Sequence, residues 1–265
     1  MLRSISGLLG HGIHAVDGEV GRVDEFYFDD KTWDIRYMVA LTGNWLSGRK
    51  VLIAPSALKA PDWDAKTFPV ALTREQVRNS PDIDTEKTVT RRHEEELAKH
   101  YAWPLYWGES FYAGGMSGGT IFPPAGKGEE ARRQEGAAGK EQEDAYLQST
   151  RDVEGYSLHA VDGPIGHVAD YIVDDELWII RYIVADTGVW LPGRKVLISP
   201  SWINNVDWES SEVFVDLSRD AVRSSPEFDP LRPVGETYAQ ELHGHYGRPL
   251  GEEAKRTAGP RGAKR

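Results

Sequence analysis

The chain has 265 residues and a formal net charge of −11 at neutral pH, and that acid surplus argues against a broad nucleic-acid-binding face, which needs clustered Lys and Arg. It contains no Cys, so disulfides, thiolate catalysis and Cys-held zinc or iron–sulfur centres are excluded together. Hydrophobic residues at 40%, nine Trp and a mean hydropathy of −0.51 describe folded cores under a well-solvated surface. No apolar run approaches the roughly 18 residues of a membrane span and the first residues lack a secretory leader, so the expected location is the cytoplasm.

Residues 14–108 recur without a gap 145 positions later. His14-Ala15-Val16-Asp17-Gly18 returns as His159-Ala160-Val161-Asp162-Gly163, and Gly48-Arg49-Lys50-Val51-Leu52-Ile53 returns as Gly193-Arg194-Lys195-Val196-Leu197-Ile198. A copy of roughly 95 residues is large enough to bury its own core, so the chain reads as a duplicated domain.

In chain order, the first strand signal is Ile13 to Val16, ended by the turn pair Asp17-Gly18. A second strand runs from Val20 through Phe28, and Asp29-Asp30-Lys31 supplies turn chemistry. Trp33 to Leu41 alternates, with Ile35, Tyr37 and Val39 on one face and Arg36, Met38 and Ala40 on the other. A glycine-bracketed loop, Gly43 to Gly48, leads into the strand Lys50 to Ala54, which Pro55 stops. Thr67 to Leu72 reads as a further strand, and Arg74 to Asn79 as one helical turn. From Glu86 to Tyr101, Val89, His93, Leu97 and Tyr101 make a stripe of four-residue spacing that predicts a helix lying across the strands. The second copy offers Val234, Tyr238, Leu242 and Tyr246, but Pro233, Gly235 and Gly244 predict a shorter or frayed helix.

The resulting expectation is a mainly β protein of two small antiparallel barrels in tandem, each followed by a C-terminal helix. The first domain occupies 1–110 and the second 149–250. A Gly-, Pro- and charge-rich segment, 111–148, forms a flexible tether between them, and 251–265 is a basic, unstructured tail.

The motifs Gly21-Arg22-Val23 to Asp29-Asp30, Ile35-Arg36-Tyr37-Met38-Val39 and Arg49 to Pro55 have counterparts in Gly166-His167-Val168, Ile180-Arg181-Tyr182-Ile183-Val184 and Arg194 to Pro200. Together they resemble the PRC-barrel family over residues 4–85 and 149–230. That family includes the cytoplasmic domain of the photosynthetic reaction centre H subunit and the C-terminal barrel of a bacterial ribosome-maturation factor. The resemblance implies a binding or assembly module rather than an enzyme. The chain shows neither the H subunit's membrane helix nor the ribosome factor's separate RNA-facing domain.

Several constellations invite a chemical reading. Glu96 with His100, repeated as Glu241 with His245, places carboxylate and imidazole one helical turn apart. Two ligands per helix fall short of a closed metal site, so a surface or packing pair is favoured over metal. His14 and His159 read as barrel-mouth residues, and Asp29-Asp30 and Asp174-Asp175 as turn formers rather than calcium ligands. His11 and His93 are replaced by Tyr156 and Tyr238 in the second copy, which argues against an enzyme needing His in both. No catalytic residues and no cofactor are expected.

The interaction candidates are the loop residues Trp45 and Arg49, with Trp190 and Arg194, which either fill the core or form an interface. A further set, Trp103, Tyr106, Trp107, Phe111 and Tyr112, exists in the first copy alone and demands a cover, first of all from within the chain. The reading that follows is a non-enzymatic protein-binding or assembly module with its two domains paired about a pseudo-twofold axis. The alternatives are a peripheral component of a photosynthetic reaction-centre complex and a sensor binding a small ligand near His14 or His159. Protein partners are expected and nucleic acid is not.

Overall fold

The computed structural model describes residues 1–81, 89, 91–103, 147–188, 193–230, 232 and 234–248. Its strands are β1 Leu2–Ser4, β2 Gly12–Ala15, β3 Gly18–Asp29, β4 Ile35–Thr42, β5 Lys50–Ile53, β6 Thr67–Pro69 and β7 Leu147–Ser149, then β8 Ser157–Ala160, β9 Gly163–Asp174, β10 Ile179–Asp186, β11 Lys195–Ile198, β12 Ile203–Asp207 and β13 Glu212–Val215. The helices are α1 Arg74–Arg78, α2 Arg91–Tyr101, α3 Thr150–Val153, α4 Arg219–Ser224 and α5 Glu236–His245. The protein is mainly β.

The strands form two sheets that repeat one plan: β5-β4-β3-β2-β6 in the first half and β11-β10-β9-β8-β13-β12 in the second. The expectation of wholly antiparallel sheets needs correction, because β2 runs parallel to β6 and β8 parallel to β13. The connection from β5 to β6 crosses the sheet's end instead of folding back as a hairpin, and that crossover makes the outer pair parallel. Among the described residues the strand order is open, with no hydrogen-bonded closure of either sheet.

The long strands bend sharply enough to wrap a core because each carries bulges. Gly21 and Gly166 are required beside those bends. A Cβ on Gly21 would lie 2.1 Å from the Leu41 carbonyl oxygen, and one on Gly166 would lie 2.0 Å from that of Asp186. The strand β4 is buried on both faces, Tyr37, Met38, Val39 and Ala40 all lying below the surface, so its alternation separates two packed sides rather than core from solvent.

Each sheet receives one strand from the other half. In β1, Leu2 to Ser4 pairs antiparallel with Asp174 to Ile172 of β9, while Leu147 to Ser149 of β7 pairs with Asp29 to Tyr27 of β3. The two short strands are themselves 145 residues apart, so the exchange is reciprocal. Sequence reading omits both, since three-residue strands carry no measurable period. Strand β7 also begins inside the segment read as tether.

The β3–β4 and β9–β10 turns meet across the same junction. Asp29 Oδ1 accepts the backbone N–H groups of Lys31 and Thr32 at 3.0 Å each, and Asp174 Oδ1 accepts those of Glu176 and Leu177. The turns end at Trp33 and Trp178, both left-handed at φ 60° and 54°, a conformation that costs a bulky residue energy. That backbone aims the peptide groups at the opposite half: Ile35 N–H donates to the Trp178 carbonyl at 2.7 Å, and Ile180 N–H to that of Trp33 at 2.9 Å. The Trp33 ring stacks on Phe28 at 5.0 Å, and the Trp178 ring crosses over to Phe26 at 5.8 Å. Buried side chains of the two halves consequently form one contiguous cluster rather than two separate cores.

The short helix α1 is closed by a capping box in which Thr73 and Gln76 satisfy each other's backbone N–H groups. On α2, Leu97 and Tyr101 are buried and His93 is half-buried, and Val89 just ahead of the helix is buried as well, in agreement with the expected stripe. Helix α5 is one residue shorter, with 10 residues against 11. Among the described residues no helix is long and apolar enough to cross a membrane.

Candidate functional site

The Trp loop of the first half is built around a short 3-10 turn, Asn44–Leu46. Trp45 is half-buried against the core and its indole N–H donates to the Val20 carbonyl at 2.7 Å. The Arg74 guanidinium lies over its ring at 4.4 Å and that of Arg78 at 5.7 Å. Arg74 also connects the loop to the β2–β3 turn, because its N–H donates to Asp17 Oδ1 at 2.7 Å and its side chain passes over Gly18. Val16, at the tip of that turn, is 62% exposed.

The second half repeats the arrangement where it is described. Arg219 N–H donates to Asp162 Oδ1 at 2.7 Å, its side chain covers Gly163, and Val161 is 66% exposed. Trp190 lies outside the described residues. Each half therefore presents one end patch made from an exposed Val, a turn Asp and an Arg at the start of a short helix.

Arg49 and Arg194 serve a different purpose from an exposed contact. Arg49 donates to the carbonyls of Arg78 and Ser80, and Arg194 to the carbonyl of Ser225, so each gathers the end of a short helix onto the sheet. The Glu–His pairs divide in the same way. His100 Nε2 lies 2.8 Å from the Gln76 carbonyl and His245 Nε2 lies 2.8 Å from the Ala221 carbonyl, the same bond from α2 to α1 and from α5 to α4. Glu96 and Glu241 are exposed. Among the described residues no group of three acidic or imidazole side chains could hold a metal ion.

His14 is exposed, whereas His159 stacks on Phe214 at 5.2 Å and faces Glu212 at 3.3 Å. His11 is buried beside Trp63 and Phe68, and burial followed by the fields of Lys66 and Arg3 holds its pKa below the ordinary imidazole value. Of the first-copy aromatic set, Trp103 stacks on Tyr101 at 4.2 Å; Tyr106, Trp107, Phe111 and Tyr112 lie outside the described residues. In the second half Arg248 takes Trp103's place, and Trp202 supplies the ring that packs on Tyr246 at 4.7 Å.

The junction contains polar residues that the sequence reading did not single out. Ser149 donates to buried Glu25, and Ser4 donates to Asp170, the equivalent position of the other half. Around Glu25 the contacts are ionic: Lys50 lies 2.9 Å from Asp24 and 3.3 Å from Glu25, and Arg151 lies 3.1 Å from Asp24. Burial pushes the Asp24 carboxyl up, but hydrogen bonds from Lys50 and Arg151 outweigh it and hold it below the ordinary carboxylate range. Around Asp170 the partners are hydroxyls, Ser4 and Ser6, and the ion pair moves to Arg3 with Asp175 at 2.7 Å. The signal for this cluster lay in the repeat itself, since Glu25 and Asp170 are acidic residues aligned within apolar strands.

Two clefts open beside the junction. One of about 400 Å³ lies between Lys31, Trp33, Asn205 and Trp208, and the other, of about 320 Å³, between Arg3, Trp63 and Phe228. Compared with known proteins, the chain matches no family model and no curated protein.

Proposed function

We propose that the chain is a non-enzymatic assembly module, a tandem of PRC-type barrels paired about a pseudo-twofold axis, that binds a protein partner through its two equivalent end patches. The observation that carries this reading is the retention of Val16 and Val161, both more than 60% exposed, in a chain whose copies differ at about half of their positions. An exposed apolar side chain contributes little to a fold, so its retention in both copies, at a turn tip whose Asp is bound by an Arg, marks a surface used in common. Support for the pairing comes from the reciprocal exchange of β1 and β7, which fixes the two patches relative to each other. A partner with two matching sites gains effective concentration from that spacing. Association with a photosynthetic complex remains the alternative drawn from the family resemblance, and a cytoplasmic location belongs to the same proposal.

The test is affinity capture from the source cells with the wild-type chain and with the double variant Val16→Asp/Val161→Asp. The expected result is a discrete partner retained by the first and lost by the second, with the melting temperature unchanged within a degree or two because surface substitutions cost little. Capture of the same proteins by both chains would exclude the end patches.

A further inference from the structure

The 320 Å³ cleft lies where the first half's N-terminal segment faces the second half's segment between α4 and α5. Its ionisable lining is entirely basic: Arg3, His11, Lys66 and Arg232. Trp63 and Phe228 are prominent among its apolar walls. In a chain of net charge −11 this lining holds four bases and no acid, with Asp175 and Asp229 pairing two of the four from beside it.

The duplication supplies a control. Shifted by 145 residues, Arg3 becomes Gln148, His11 becomes Tyr156 and Lys66 becomes Ser211, while Trp63 remains Trp208. Arg232 corresponds to Lys87. The second half holds neutral residues at three of the four positions, so its copy of the fold does without those bases, although in the first half Arg3 also anchors β1 through Asp175. Their fields converge, since Lys66 and Arg3 both disfavour the charged form of His11. Arg3 commits Nε to Asp175 at 2.7 Å and lies 3.5 Å over the Trp63 ring, yet a guanidinium has further N–H donors. Arg232 pairs with Asp229 at 3.3 Å on the surface, and Lys66 makes no ion pair among the described residues.

We infer that this cleft binds a small organic anion, a carboxylate head carried on an aromatic or branched apolar body. The head is placed among Lys66, Arg232 and the remaining donors of Arg3, and the body lies along Leu8, Phe228, Val234 and the part of Trp63 that the Arg3 guanidinium leaves uncovered. The volume falls within the range of small-molecule sites, which combine apolar walls with a few orienting polar groups. Inorganic anions would gain nothing from the apolar walls, and neutral apolar molecules nothing from the bases. The site is distinct from the end patches, so failure of the protein-binding reading leaves it standing.

Isothermal calorimetry on the full chain tests it with three probes: 4-phenylbutyrate, 4-phenylbutanol and inorganic phosphate. The carboxylate is expected to bind at least about tenfold more tightly than the alcohol, the scale of a charge-assisted hydrogen bond. Lys66→Gln with Arg232→Gln is expected to weaken it about tenfold while the melting temperature stays constant, both side chains being exposed. Absence of heat with 4-phenylbutyrate, equal affinity for the alcohol, phosphate binding as tightly as the carboxylate, or an unchanged affinity in the double variant would each overturn the assignment.

Discussion

The two halves exchange equivalent strands but secure them by different chemistry. Strand β7 lies on the first sheet with Leu147 fully buried, beside Ser149 on Glu25 and the Lys50–Asp24–Arg151 ion cluster. Strand β1 lies on the second sheet with Leu2 half-buried, held by Ser4 and Ser6 on Asp170 and by the Arg3–Asp175 pair. Backbone pairing is thus the shared element, and side-chain anchoring is where the copies diverged. The exchange therefore follows from the strands and the bends that admit them, with charge adjusting its strength.

The largest effect should come from a feature both halves require. Gly166→Ala drives a Cβ into the Asp186 carbonyl, and at φ 135° it also adopts a conformation unfavourable for any side chain. A loss of about 3 kcal/mol or more is expected, read as a collapse of the urea midpoint. Next, Leu147→Ala should cost about 2–4 kcal/mol, as for a fully buried Leu, whereas Leu2→Ala should cost about 1 kcal/mol. Equal losses at the two positions would erase the proposed asymmetry between the strands.

The ionic side of the comparison gives a pH signature. Because the folded-state pKa of Asp24 is depressed, its contribution is complete above the unfolded value of about 4 and disappears as pH falls through the folded value. Asp24→Asn should therefore lower stability by about 1 kcal/mol at pH 7, with the deficit shrinking below pH 4. The equivalent residue of the second half is Ala169, so no matching term arises there. A deficit that persists at pH 2.5 would assign the loss to packing instead. The smallest effect belongs to the helix-to-helix bonds: His100→Ala and His245→Ala should each cost about 0.5–1 kcal/mol, nearly equally, in thermal unfolding monitored by circular dichroism.

Much of the plan was legible in the sequence because long strands, turn pairs and helix stripes carry their own period. β3 and β4 were found within two residues of their ends, and the stripe Val89, His93, Leu97 and Tyr101 foretold the helix α2. The parallel β2–β6 pair was not legible, since strand direction depends on how the Pro55 to Lys66 crossover travels and not on any local pattern. Nor were β1 and β7, whose three residues acquire strand structure only from a partner in the other half. The candidate site was read in part. Trp45 and Arg49 lie where the loop pattern put them, but Arg49 faces inward to carbonyls. Buried polar residues such as His243, which lies 3.2 Å from the Tyr182 hydroxyl, escaped notice because its counterpart, Ala98, gave the repeat comparison nothing to match.

Because each sheet holds a strand of the other half, the two halves are expected to unfold as one. Incorporation of 5-fluorotryptophan gives separate fluorine resonances for Trp63 in the first half and Trp208 in the second, each of which can be followed through a urea titration of the wild type and of Leu147→Ala. One shared midpoint is expected in the wild type and a shared, lower midpoint in the variant. A Trp208 transition that stays in place while that of Trp63 moves would contradict it.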